Sequence, residues 1–152
     1  MPPALHTGRV HHWRTLRPDS TLPLVYACSG CSNVAQLANT LALRLDRAGL
    51  AEMSCIVGVG GHVAPLVNKA RSGRPILALD GCPLQCVEAC LNQHGLHADV
   101  HLILSQHGLR KRYGEDCTEE QSDELFEEVK RLIGGGDLEE KNRMIVAAET
   151  MD

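Results

Sequence analysis

Aromatic side chains are scarce in this chain of 152 residues: Trp13, Tyr26, Tyr113 and Phe126 are the whole set. Base stacking on single-stranded nucleic acid needs exposed rings, and four rings offer little platform. Basic clusters are missing apart from "RKR", Arg110 to Arg112, and the formal charge is −4. A phosphate-binding electrostatic footprint is therefore absent, and no nucleic-acid partner is expected. No apolar run approaches the roughly 18 residues of a membrane span, so no membrane partner is expected either. The opening stretch, "MPPALHTGRVHHWRTLRPDS", has no apolar segment of the secretory kind. No export signal is read there, and the expected compartment is the cytoplasm.

Cysteine, by contrast, is plentiful. Seven thiols in a chain read as cytosolic point to metal or redox chemistry rather than to structural disulfides. The length suits one domain able to bury its own core.

The organisation along the chain is a strand–helix alternation. Residues 1–21 carry two early prolines, three histidines and no apolar period, and read as a flexible N-terminal arm. "LPLVYAC" is a short apolar strand. "SNVAQLANTLALRLDRAG" has Val34, Leu37, Ala38, Leu41 and Leu45 at helical spacing and Gly49 as its stop. "AEMSCIVGVGG" reads as a second strand ending in glycines. "HVAPLVNKARSG" reads as a short helix with Pro65 in its first turn, and "RPILALDG" as a third strand. "PLQCVEACLNQHG" reads as a helix opened by Pro83 and closed by Gly95, and "ADVHLILSQHG" as a fourth strand. Thr118 and Gln121 form a capping box for a last helix whose core face is Leu125, Phe126, Val129, Leu132 and Ile133. Residues 22–135 are thus one α/β domain, and residues 136–152 a further helix or a frayed tail.

Such alternation predicts parallel βαβ units with helices on both faces of the sheet. The fold expected is a small doubly wound, mostly parallel sheet of four or more strands, flavodoxin-like or Rossmann-like, in the order 2-1-3-4. In such sheets ligands bind at the C-terminal edge, above all at the switch point between the first and third strands. Cys28, Cys55 and Cys82 stand 27 residues apart each time, each at or near a strand's C-terminal end. Three successive units would deliver one thiol each to the same edge.

Each group has a plainer reading beside the chemical one. "CSGC" (Cys28, Cys31) at a strand-to-helix turn fits a metal knuckle or a dithiol pair, or two small buried thiols filling tight space. In "DGCPLQC" the spacing of four puts Cys82 and Cys86 on one helix face; Cys90 continues the row but lies deeper, where a core role is favoured. Asp80 either orients a ligand from behind or caps the helix, capping being preferred, with Gly81 permitting the tight turn. Cys55 alone would be an ordinary small core residue, and only the repeated spacing marks it. "GVGG" (Gly58 to Gly61) lacks the rest of a nucleotide fingerprint. His62 and His107 are zinc-competent, though exposed loop histidines are commonplace, and Cys117 reads as incidental.

The three stretches "YACSGCSNVAQLAN", "AEMSCIVGVGG" and "ILALDGCPLQC" resemble the DGC-domain proteins, small prokaryotic proteins named for an Asp-Gly-Cys motif and described as zinc-binding. The resemblance runs from about Leu22 to Arg112. It implies four cysteine ligands for zinc, Cys28, Cys55, Cys82 and Cys86, with Asp80, Gly81 and Cys82 as the motif itself. Cys31 is an optional fifth thiol, and Cys90 and Cys117 lie outside the shared pattern. The same thiolate set also suits an iron–sulfur cluster, with zinc the preferred cofactor.

The function expected is a cytosolic metal-binding protein for storage, sensing, delivery or structure. The alternative is a thiol-redox or sulfur-transfer enzyme, with Cys28 as nucleophile, Cys31 as resolving thiol and Cys82 with Cys86 as a second dithiol. A phosphatase-like or arsenate reductase-like site is disfavoured, because no arginine follows Cys28 within the turn to hold an oxyanion. An interaction module working through the acidic last helix has only a solvated charged face behind it.

Overall fold

The structure, a computed structural model, describes residues 22–134. The expectations for residues 1–21 and 136–152 lie outside the described residues.

Four strands form one all-parallel sheet in the order β2-β1-β3-β4: β1 (Leu24–Ala27), β2 (Glu52–Met53), β3 (Ile76–Asp80) and β4 (Val100–Ile103). β1 and β3 pair over Leu24↔Ile76 to Ala27↔Leu79, and every residue of both strands is buried. Their continuous apolar character reflects cover on both faces. One face, built on Val25, Ala27, Leu77 and Leu79, packs against α1 (Asn33–Arg47) and α5 (Glu119–Gly134). The other, built on Leu24, Tyr26, Ile76 and Ala78, packs against α2 (Ile56–Gly60), α3 (Ala64–Ala70) and α4 (Cys86–Asn92). The doubly wound fold, the strand order and the adjacency of β1 and β3 are as the sequence predicts.

The stop expected for α1 and the capping box expected for α5 are both present, and α1 also has an N-cap that the sequence reading did not single out. Ser32 caps α1, its hydroxyl accepting from the Ala35 amide at 3.2 Å. Gly49, at φ 71°, ends the turn after it. At α5 the capping box closes both ways: Thr118 N–H donates to Gln121 Oε1 at 2.9 Å, and Gln121 N–H to Thr118 Oγ1 at 3.2 Å. Leu125 and Val129 are buried as expected, whereas Leu132, in the last turn of the helix, is 40% exposed.

Two boundaries differ. The second strand stops at Met53, and "IVGVG" is the short helix α2. A short apolar run does not separate a strand from a buried helical turn. The glycines here permit helix contact: a Cβ on Gly60 would stand 2.8 Å from Cys90 Sγ on α4. The other difference is α4, which begins at Cys86 and not after Pro83. Gln85 at its N-cap sits in the left-handed region, φ 53°, so the chain from Cys82 to Gln85 is a turn. Cys82 and Cys86 therefore do not share a helix face.

Candidate thiol and metal site

The order 2-1-3-4 places the switch point above β1 and β3, and both strands run there into cysteine. The Cys28 amide extends the ladder, donating to Leu79 O at 3.1 Å. Its sulfur accepts from the Gly81 N–H at 3.1 Å. Gly81 leaves room for this crossing: a Cβ there would lie 2.7 Å from Val34 C and Ala35 N and 2.8 Å from Val34 O. Its φ is not positive. The glycine serves close approach of β3's end to the first turn of α1, at the tight turn expected there.

Asp80 is 1% exposed and its carboxylate is fully occupied. Oδ1 accepts from the Val87 amide at 2.9 Å, and Oδ2 from the Glu88 amide at 3.4 Å and from His101 Nε2 at 2.8 Å. The expected capping role is thus met from a distance, across the turn that carries Cys82. His101, on β4, is a partner that sequence reasoning missed; a single strand histidine carries no spacing signal.

Over this floor lies a cleft of about 350 Å³. Cys28, Cys31, Cys82, Cys86 and Cys90 all line it. Cys90, set aside from sequence as a core residue, reaches the cleft because α4 starts at Cys86, which makes Cys90 its next-turn neighbour. Cys55 stands exposed at the N-cap of α2, on the same sheet edge but outside the cleft lining. His62 bonds Gln93 and tilts against His94, and His107 pairs with Glu128; neither lines the cleft. Cys117 lines a separate cavity of about 220 Å³ beside Asn33 and Ser122. All seven cysteines are free thiols.

A strap closes the remaining side. Asn33, at the start of α1, donates from Nδ2 to Arg110 O at 3.0 Å and accepts on Oδ1 from Arg112 N–H at 2.7 Å; its own amide donates to Arg112 O at 3.0 Å. The strap hangs Lys111 over the cleft, its ammonium 3.4 Å from Cys82 Sγ and 5.4 Å from the centre of the Tyr113 ring. The Tyr113 hydroxyl first, and then the Cys82 sulfur, hold the lysine's pKa above its ordinary value. Lys111 and Tyr113 were also missed, though "RKR" marked the segment.

The thiols are not alike. Burial pushes Cys28 up to about 11, against the relief its Gly81 hydrogen bond gives; the charges of Asp80, Cys86 and Cys82 add to the rise. Burial raises Cys90 as well, helped by Cys86 and Asp80. Cys31 and Cys86 are exposed. As donors, five thiols over one cleft suit a soft cation. As arranged, no three His, Cys, Asp or Glu side chains among the described residues stand at metal-holding spacing. Ligation at this site thus needs the thiols drawn together, and the exposed side chains of Cys31 and Cys86 are the ones free to turn.

A thiol cleft at the switch point of a four-stranded parallel sheet, floored by Asp80-Gly81-Cys82, defines the class: the chain belongs to the DGC-domain family, whose pattern matches residues 24–129. Among curated relatives it is similar to the anaerobic and virulence modulator AnvM of Pseudomonas aeruginosa. The two are 69% identical over 119 residues, covering 78% of this chain and 91% of that protein. No solved structure matches. No helix among the described residues is long and apolar enough to cross a membrane.

Proposed function

We propose that this protein is a cytosolic metal-binding protein whose cleft thiols take up zinc. The observation that carries the reading is the gathering of five free cysteines from two separate stretches of chain, residues 28–31 and 82–90, around one cleft. Cys28 and Cys82 supply the β1 and β3 ends, Cys86 opens α4, and Cys31 or Cys90 completes a set of four; Cys55 joins only if α2 shifts. A bound cation favours the thiolate form that burial and neighbouring charge oppose at Cys28. The N-terminus of α1, a helix of 15 residues, faces the site and eases the negative charge of a thiolate centre. Among storage, delivery, structure and sensing, sensing is favoured, because the relative's name describes a modulator.

The test is zinc titration of chelator-treated, reduced protein, with elemental analysis and a count of reactive thiols. Saturable uptake that falls sharply in Cys28→Ser, Cys82→Ser and Cys86→Ser supports the reading. Saturable uptake unaffected by all three removes the cleft from it. A second reading, a thiol-redox protein, is favoured by the ammonium at Cys82 and by the exposure of Cys31 and Cys86. It requires a reversible disulfide and no zinc uptake in the same experiment.

A further inference from the structure

The cleft is larger and more apolar than a metal ion needs. Pockets that bury small organic molecules run from roughly 300 Å³ upwards and are mostly apolar, with a few polar groups that fix orientation. At about 350 Å³ this one meets the lower bound. Its walls are Ile56, Val57, Leu84 and Val87, and its convergent polar groups include Lys111 and Tyr113. Val57, Leu84 and Tyr113 are 74%, 73% and 67% exposed, and they are three of the six large exposed hydrophobics of the described chain. Their grouping round one opening, rather than their exposure singly, marks a site. Inside, one sulfur differs from the others in having an ammonium against it, Lys111 Nζ at 3.4 Å from Cys82 Sγ.

We propose that the cleft binds an apolar α,β-unsaturated carbonyl compound of the enone type, and that Cys82 adds to it with Lys111 beside the carbonyl oxygen. The step balances without an added oxidant or reductant. The Cys82 thiol gives its proton to water. The sulfur lone pair forms the C–S bond at the β-carbon, and the C=C π pair moves onto the carbonyl as an enolate. Lys111 donates a proton to that oxygen and regains one from water, and the enol returns to the ketone by protonation at the α-carbon. The net change is addition of S–H across C=C. Apolar walls select apolar electrophiles over small polar ones, and Lys111 selects Cys82 over Cys31 and Cys86, which are more exposed.

The full chain, reduced and chelator-treated so that the result is independent of zinc, is labelled with a limiting amount of N-phenylmaleimide or of iodoacetamide. The modified cysteine is then located by peptide mass mapping. N-phenylmaleimide is expected on Cys82 ahead of Cys31 and Cys86 by about tenfold, while iodoacetamide, which gains from the ammonium but not from the apolar walls, shows a smaller preference. Lys111→Met should slow the N-phenylmaleimide reaction at Cys82 about tenfold and leave Cys31 unchanged. Leu84→Asp should reduce the N-phenylmaleimide rate at Cys82 and spare the iodoacetamide rate. Leu84 is exposed, Lys111 is half-buried, and neither belongs to the core clusters, so both variants should fold. The proposal is overturned if Cys31 or Cys86 outruns Cys82 with N-phenylmaleimide. It is equally overturned if both variants leave the Cys82 rates as they are.

Discussion

Replacing Gly81 by alanine is the sharpest perturbation available at this site. The new Cβ would sit 2.7 Å from Val34 C and Ala35 N, where ordinary contact begins at 3.4 Å, so α1 and the end of β3 must part by about 0.7 Å. All three atoms it meets are backbone of the first helical turn, pinned by the Ser32 cap and by Asn33's grip on the strap. No side chain can rotate away to relieve the clash. Overpacking of this kind costs about 3 kcal/mol, the upper part of the usual range. For a folded unit of this size that lowers the melting temperature by roughly 10–15 °C. The opening also lengthens the bond from the Gly81 amide to Cys28 Sγ, which favours the thiolate, so Cys28 should alkylate more slowly at pH 8 while the fold persists. Gly60→Ala is the control: its Cβ meets Cys90 Sγ at 2.8 Å, the end of a side chain that can turn, and the change should stay within about 1 kcal/mol. Thermal and urea melts, with alkylation rates at Cys28, measure all of this. A Gly81→Ala protein melting within about 2 °C of its parent would refute the close-approach argument.

Asp80→Ala leaves the Val87 amide and His101 facing an empty buried site, and should destabilise by about 3–5 kcal/mol in urea melts. Asn33→Ala frees both strap hydrogen bonds at a cost of about 1–3 kcal/mol, and should hasten tryptic cleavage at Arg110 to Arg112; an unchanged digestion rate would count against the clamp. In metal-free protein, Cys28 holds its proton more tightly when folded than the ordinary 9.0, up to about 11. Its contribution is therefore complete below pH 9 and lost between pH 9 and 11, and melts of Cys28→Ser should show a shallower alkaline fall than the parent. Chelation should leave circular dichroism near native, since both core clusters close without an ion. Zinc should then raise the melting temperature by mass action, at about 4 kcal/mol for a thousandfold excess over Kd. An unfolded Cys82→Ser protein would make the thiol's role structural.

The sheet was legible because β1 and β3 are unbroken apolar runs and because α1 and α5 carry end signals, Gly49 for the one and Thr118 with Gln121 for the other. These signals are local, and local signals survive folding. What was not legible depended on contacts across the fold. Gln85's left-handed backbone has no glycine or asparagine to announce it. Asp80 caps α4 from the far side of a turn, which no fixed offset in sequence encodes. Lys111 reaches Cys82 only because Asn33, 79 positions before Arg112 in the chain, holds the strap down.

The 27-residue rhythm of Cys28, Cys55 and Cys82 shows where such a pattern carries information and where it does not. It placed all three thiols correctly just beyond β1, β2 and β3, at one edge of the sheet. It said nothing of their neighbours, because equal spacing in sequence is not equal spacing across a sheet wound in the order 2-1-3-4. β1 and β3 lie side by side, so Cys28 and Cys82 share the crevice. β2 is the outer strand, so Cys55 falls one strand away from it, with the start of α2 carrying Ile56 and Val57, and not the thiol, into the cleft wall. Cys90 breaks the rhythm and yet enters, since a helix that begins at Cys86 puts Cys90 one turn along the same face. Ligand sets at a switch point therefore follow from strand order and helix phase together, and spacing along the chain fixes neither: 2-1-3-4 is the order expected of such folds, not one the cysteine rhythm encodes.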